Sequence, residues 1–236
     1  MKKFALIFLL AVCSHLLQAQ HVSQINFNKI KENITDSSSN FFYPKLLKKI
    51  EETDTTLLEE EYFHLYYGNV FQEGYYPYGT SHFKKDFLDA YESGNYEQAF
   101  EKGEVALNAQ PVDLELLLKM SILSFKLEKV ELKRKFAGHF YAFLDVIYRS
   151  GDGKSLETAY VVTSVDHEYF IAGDLGLRVV HQQLVNDCDL LFFSKRDQKK
   201  IKGRKKIKRL YFNVRMPLMS LSKSFKDVDL PDPDEE

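Results

Sequence analysis

The most recognisable chemical pattern is the run Ser150-Gly151-Asp152-Gly153-Lys154-Ser155, because Gly-Lys-Ser ends the phosphate-binding loop of many nucleotide-binding proteins. That loop also requires a glycine five residues before Gly153, where Tyr148 stands instead. It lies between a strand and a following helix, whereas here a helical pattern comes first and a strand pattern follows. We therefore interpret this run as a helix end and a turn, and expect no nucleotide cofactor.

Asp166-His167-Glu168 is the tightest group of side chains suited to acid–base chemistry or metal binding. The neighbouring residues predict a strand junction, with a strand over 168–172. Successive side chains of a strand point to opposite faces, so His167 would face away from both acids. A structural role is expected. The alternative is an envelope hydrolase, or another enzyme of unrecognised type, centred on these three residues.

Histidine and cysteine give no metal-ligand pattern. The seven histidines include no two at ligand spacing on a predicted helix, so no metal site is expected. The two cysteines are Cys13 and Cys188, and the first lies in the N-terminal segment discussed below. Cys188 is interpreted as a buried residue at a hairpin, because a nucleophilic thiol needs a neighbour that lowers its pKa.

Aromatic residues are concentrated between Tyr62 and Tyr78, and some of them must pack on the helices of the core. Gly74, Pro77 and Gly79 interrupt the end of this segment and predict a loop. Rings on a loop form either a packed lid or a binding platform for a peptide or sugar. The candidate binding residues are Tyr67, Tyr75, Tyr76 and Tyr78.

The segment from Lys195 to Arg209 carries ten basic residues and one acid, which predicts a strong local positive field. Its candidate residues for an anionic envelope component are Lys199, Lys200, Lys202, Arg204, Lys205 and Lys206. The alternative is a solvated hairpin loop, neutralised by the acidic residues at 227–236. Nucleic acid is not expected as a partner, because no aromatic residue is interleaved with the basic ones.

The elements that position these residues belong to a chain of globular composition. It has 236 residues, 44% of them hydrophobic, and 32 Lys plus Arg stand against 34 Asp plus Glu. These values indicate one domain or two small ones with a real core. They exclude collagen-like, disulfide-scaffold and wholly basic nucleic-acid-binding chains.

The first 19 residues are typical of a secretory signal peptide: Lys2 and Lys3 precede an apolar run of about nine residues and a segment of small and polar residues. Cleavage after Ala19 is expected, which places the mature protein in the periplasm or outside the cell. No later segment is long and apolar enough to be a transmembrane helix. Acylation of Cys13 as a lipoprotein is the alternative, although Val12 is bulky for that processing site.

Residues 20–150 show helical spacing of apolar residues throughout. The clearest part is a pair of helices joined by Ser93-Gly94-Asn95, and so short a turn makes them pack antiparallel. Ala99, Gly103 and Ala106 would let the two backbones approach closely. The run Gly94-Asn95-Tyr96 to Ala99, with Ala106 and Pro111, resembles a tetratricopeptide repeat. A second, degenerate pair follows over 114–149, in which the helix 114–127 is apolar almost all round.

Residues 151–225 change to the twofold period of strands and predict a small antiparallel sheet packed on the helices. The tail 226–236 is expected to be disordered. The predicted class is therefore α+β: an N-terminal helical bundle with one or two tetratricopeptide-like hairpins, followed by an antiparallel sheet.

A wider resemblance rests on Leu65-Tyr66-Tyr67-Gly68, on Glu168-Tyr169-Phe170 and on Leu210-Tyr211-Phe212, together with the helix pair around Gly94. In these runs the chain is similar to an exported Bacteroidetes family known only as domain-of-unknown-function family 4919. The resemblance implies export and helices followed by strands, and it supplies no catalytic residues.

These observations favour a non-catalytic binding or assembly module for a protein, a peptide or an envelope glycan, because helical hairpins expose grooves and no recognisable catalytic set is present.

Overall fold

A computed structural model describes residues 25–52, 57–198 and 206–226. The predicted signal peptide, Cys13 and residues 199–205 of the basic segment lie outside the described residues, as does the predicted tail except for Lys226, which ends a helix.

Three helices form the first layer: α1 (Phe27–Thr35), α2 (Tyr43–Glu51) and α3 (Glu59–Gly68). The Asn26 side chain caps α1 by accepting the N–H of Lys29, and Pro44 lies in the first turn of α2, where its missing N–H costs nothing. At the start of α3 the Glu61 carboxylate accepts the N–H of Leu58 at 2.8 Å. The aromatic side of α3 is buried between α1, α2 and the rest of the molecule.

Four further helices form two antiparallel hairpins: α4 (His82–Glu92) with α5 (Tyr96–Ala109), and α6 (Leu114–Lys126) with α7 (Val130–Arg149). Gly94 lies in the turn between α4 and α5 and has φ +76°, a conformation that favours glycine. Ala99 and Ala106 are fully buried. A Cβ atom on Gly103 would lie 2.2 Å from the Met120 sulfur on α6 and 3.1 Å from the Phe87 ring on α4, so this glycine makes room for side chains of both neighbouring helices.

Helix α6 is buried on fewer sides than its composition predicts. Leu116, Met120 and Leu123 are fully buried. Ile122 and Phe125, however, are 41% and 66% exposed, and a solvated face therefore replaces the expected burial all round.

The C-terminal part contains β1 (Tyr160–Val161), α8 (Asp166–Asp174), β2 (Val179–Val185), β3 (Cys188–Phe193), the short α9 (Lys195–Gln198), β4 (Arg209–Asn213) and α10 (Arg215–Lys226). The strand order is β1-β4-β3-β2. The α+β class is confirmed. The sheet is mixed, because β1 pairs parallel with β4, and the expected purely antiparallel sheet is wrong in that pair.

The largest correction concerns 168–172, which is helix α8 and not a strand. Its core residues are Ile171 and Ala172. The predicted hairpin between β2 and β3 is present as a two-residue turn, with Asn186 at φ +56°.

Candidate functional site

The polar cluster Asp166-His167-Glu168 occupies the first turn of α8. Consecutive positions of a helix point about 100° apart, so the three side chains reach three different neighbours. The expected strand is therefore wrong, because these residues are helical. The three side chains nevertheless point in different directions.

His167 is buried against α3, where its Nδ1 lies 2.7 Å from the Tyr66 hydroxyl. Burial, and then the nearby Lys84 ammonium, lower the pKa of His167 to about 3. The imidazole is thus neutral at physiological pH. The Tyr66 oxygen already accepts the N–H of Thr163 at 3.3 Å, and we assign its hydroxyl as the donor to Nδ1. A histidine with so low a pKa is a poor general base near neutrality.

Glu168 is fully buried, and neither of its carboxyl oxygens makes a hydrogen bond of accepted geometry. Burial and then the adjacent Asp189 carboxyl raise the pKa of Glu168 to about 10, so that it carries a proton at neutral pH. Asp189 accepts Gln182 Nε2 at 2.7 Å, and Gln182 Oε1 accepts the Tyr169 hydroxyl at 2.6 Å. This network connects the buried carboxyl pair with Tyr169, which is half-exposed.

Asp166 belongs to a separate ion cluster centred on Lys84 of α4. The Lys84 ammonium lies 2.9 Å from both Asp113 and Glu115 and 3.8 Å from Asp166. Lys84 itself is buried. Burial lowers the pKa of this lysine, but the facing carboxylates outweigh that effect and raise it above its ordinary value.

The four candidate tyrosines do not share one surface. Tyr67 is fully buried, and its hydroxyl donates to the Val161 carbonyl at 3.2 Å. Tyr75 donates to the Thr163 carbonyl at 2.7 Å, and Tyr78 is partly buried. Tyr76 is 55% exposed. Tyr75 and Tyr76 line a crevice of about 30 Å³ beside His167, which is room for a water molecule and not for a sugar.

A larger opening lies elsewhere, between α2, α5 and α7. This helical groove has a volume of about 420 Å³ and is partly open to solvent. Its apolar lining includes Leu47, Leu107, Leu132 and Phe136, and its rim carries Glu51, Glu104 and Lys135. The volume is within the range of sites that hold small ligands or anchoring side chains.

His139 forms part of the wall of the helical groove and is 2% exposed. Its Nδ1 lies 2.8 Å from the Tyr62 hydroxyl, whereas its Nε2 is buried and makes no hydrogen bond of accepted geometry. Burial and then the Lys135 ammonium lower the pKa of His139 to about 4, with a small opposing effect of the Ile50 carbonyl. The ring is therefore neutral, with one unused polar nitrogen.

Three further candidates are a metal site, the thiol of Cys188 and the basic segment. Within residues 25–52, 57–198 and 206–226, no group of three or more His, Cys, Asp or Glu side chains is positioned to hold a metal ion. Cys188 is buried in β3, and burial raises its pKa to about 11, so that it stays a thiol. Of the predicted anionic-partner residues, Lys206 alone falls within the described part, so that hypothesis stays a prediction.

The Gly-Lys-Ser run lies in a turn in which the amides of Asp152, Gly153 and Lys154 already donate hydrogen bonds. The N–H groups of Asp152 and Gly153 both donate to the Thr158 carbonyl, at 2.9 and 2.8 Å. The Asp152 carboxylate accepts the N–H of Lys154 at 3.0 Å. A phosphate bound to the amides of Asp152, Gly153 and Lys154 would have to break these contacts.

The family model described as "Domain of unknown function (DUF4919)" matches residues 28–223 of the chain. The chain belongs to the DUF4919 family. No curated protein and no solved structure matches the chain. Within the described part of this DUF4919 chain, no helix is long and apolar enough to cross a membrane.

Lys84 and His139 were not singled out from the sequence, although their spacing contains a signal. Lys84 lies three residues before the buried Phe87, on the same face of α4. His139 lies three residues after Phe136 and four before Phe143, within the apolar stripe of α7. A polar residue inside such a stripe predicts burial with a partner.

Proposed function

We propose that this protein is an exported, non-catalytic binding or assembly module that holds a protein or peptide partner in the helical groove. The observation that carries the proposal is the combination of about 420 Å³ of partly apolar space with a buried histidine nitrogen in its wall that makes no hydrogen bond of accepted geometry. The hairpins around Gly94 and Glu128 supply most of the residues that line that space. Their similarity to tetratricopeptide repeats is part of the proposal.

The polar cluster at the start of α8 fits a structural role better than a catalytic one. This favours the binding function over the enzyme alternative. Its histidine is neutral and bonded to Tyr66, and its glutamate is fully buried. A reaction centre must admit its substrate, whereas the adjoining crevice has room only for a water molecule.

Site-specific photocrosslinking in the native cell envelope tests the binding function. We expect Leu132→p-benzoylphenylalanine, with the probe in the groove, to give defined crosslinked products. Tyr141→p-benzoylphenylalanine is the matched control, because Tyr141 lies on the opposite face of α7 and is 62% exposed. Equal product patterns from the two positions would contradict a specific partner at the groove.

One observation favours the alternative, an enzyme centred on Asp166, His167 and Glu168. Glu168 holds a proton at neutral pH, as a general acid must. This alternative requires turnover of an envelope substrate by the purified protein, with loss of that turnover in Glu168→Gln. Turnover of this kind would replace the binding function.

Export is a separate part of the proposal. Mass spectrometry of the protein from the producing cell should find an N-terminus at or near Gln20. A diacylated Cys13 would overturn the unanchored form.

An anionic partner for the basic segment would be supported if deletion of 199–206 abolished binding to lipopolysaccharide vesicles while the melting temperature stayed nearly unchanged.

A further inference from the structure

We propose that the helical groove takes an extended peptide in which one large apolar side chain lies between basic residues. This inference rests on the proposed binding function and specifies the chemistry of its ligand. It combines the shape of the groove, the unused nitrogen of His139 and the charges of the rim.

The apolar part of the groove calls for a single bulky side chain. Leu132, Phe136 and His139 follow one another at spacings of four and three on α7, so they form one stripe along the groove. Leu47 on α2 and Leu107 on α5 line it from the other helices. Both leucines and Leu132 are only partly buried by the protein itself, which leaves apolar surface for a ligand to cover.

The unused nitrogen of His139 favours a peptide over a purely apolar ligand. A neutral imidazole presents Nε2 either as an N–H donor or as a lone-pair acceptor, depending on its tautomer. A bound group that reaches this nitrogen would supply a hydrogen bond of good geometry, which the protein itself does not make there. Because every peptide unit offers both an N–H and a C=O, an extended backbone can satisfy either tautomer.

The rim charges favour basic flanking residues. Glu51 and Glu104 are exposed, and among the described residues neither carboxylate forms an ion pair within 4.0 Å. Lys135, a cation at the same rim, donates through its ammonium to the Glu51 carbonyl. The charges of Glu51 and Glu104 also act on the Lys135 ammonium, and two carboxylates against one lysine leave this rim with a net negative charge that attracts a cationic partner and repels an anionic one.

Fluorescence anisotropy with labelled synthetic heptapeptides tests this ligand class on the full chain. The first peptide has a central leucine flanked by lysines, the second has the same leucine flanked by glutamates, and the third has a central serine flanked by lysines. We expect the first to bind about tenfold more tightly than the second at low salt, with the difference shrinking at high salt. The serine peptide should bind no more tightly than the glutamate one.

Charge reversal is the decisive variant. The double variant Glu51→Lys/Glu104→Lys should invert the preference between the lysine and glutamate peptides. Glu92→Lys, an equally exposed change at the end of α4, is the matched control and should leave it unaltered. His139→Phe should weaken both leucine peptides by a similar factor, with its fold checked by circular dichroism.

The outcomes separate the ligand class from the binding function. Equal affinity for the lysine and glutamate peptides, unaffected by charge reversal but lost in Leu132→Glu, would overturn the basic ligand and leave a groove-binding protein. Absence of binding to every peptide, together with identical crosslinks at 132 and 141, would overturn both.

Discussion

At the scale of single residues, burial sets the protonation of the polar cluster. Glu168 and His167 are adjacent in sequence, yet both are neutral at physiological pH for the same reason, since removal from water disfavours the charged form of either. For the glutamate this means that a proton is retained. For the histidine it means that one is lost.

Glu168→Gln should therefore stabilise the protein at neutral and alkaline pH. The pKa of Glu168 rises from its ordinary 4.5 to about 10 on folding. Its contribution to stability is thus fully present below pH 4.5 and is progressively lost as pH rises toward 10. We expect a gain in the free energy of unfolding on the order of 2 kcal/mol at pH 7.5, measured by urea unfolding across that pH range.

The exposed change Glu92→Gln is the control for this experiment and should shift stability by less than about 0.5 kcal/mol at every pH. Parallel pH profiles for the wild type and Glu168→Gln would mean that the carboxyl is ionised in the folded protein. The idea of a protonated pair with Asp189 would then be wrong.

At the scale of elements, the sequence predicted the helices well and the sheet less well. Ala99 and Ala106 have the spacing of a packed helix face, and this local pattern is enough to predict helix α5. Residues 168–172 contain Tyr, Phe and Ile, which favour strands, but tertiary contacts decide in favour of helix α8. The parallel pairing of β1 with β4 joins residues far apart in sequence, which local periodicity cannot show.

The candidate site was harder to predict than the fold, for the same physical reason. The sequence pointed to Tyr67 as an aromatic side chain beside a loop, and nothing in its neighbours shows that it is fully buried. The helical groove depends on how α2 lies across α5 and α7, a long-range relationship that no single segment encodes.

Ala99→Leu tests the close packing of α4 and α5. Ala99 is fully buried, so three added heavy atoms must force neighbouring side chains out of place. We expect a loss of about 1–3 kcal/mol in chemical unfolding. Ala109→Leu near the exposed end of the same helix is the control and should be nearly neutral. Equal effects of the two changes would count against a tight hairpin.

Gly153→Ala tests the turn that joins α7 to β1. Gly153 has φ +66°, and an added Cβ would lie 2.7 Å from Tyr160 and 2.8 Å from Leu210. Strain and overlap together should cost several kcal/mol, roughly 2–4, seen as a large fall in melting temperature. Lys154→Ala is the control, because that side chain is exposed and contacts only the Asp152 carboxylate. Loss of nucleotide binding by Lys154→Ala without loss of stability would instead revive a phosphate site.

At the scale of the whole molecule, polar contacts join the helical part to the α/β part. Tyr66 bonds His167, Tyr75 bonds the Thr163 carbonyl, and Lys84 reaches Asp166. Each contact runs from a helix or loop before residue 93 to residues 163–167, which lead into α8 and form its first turn. The start of α8 is therefore an anchor point between the two parts, which gives its polar residues a structural purpose.

Lys84→Met should weaken this anchor strongly. The substitution keeps most of the side-chain volume but leaves Asp113, Glu115 and Asp166 facing one another without the buried ammonium. Removing one partner of a buried ion pair costs about 3–5 kcal/mol, and the partial exposure of these acids reduces the expected loss to roughly 2–3. Lys85→Met is the matched control, because Lys85 pairs with Asp89 in solvent and should change stability by less than about 1 kcal/mol.

Hydrogen exchange should show faster opening at the first turn of α8 in Lys84→Met and not in Lys85→Met. Uniform loss of protection throughout both parts would instead mean that Lys84 supports the core as a whole, and that the start of α8 has no special place in joining them.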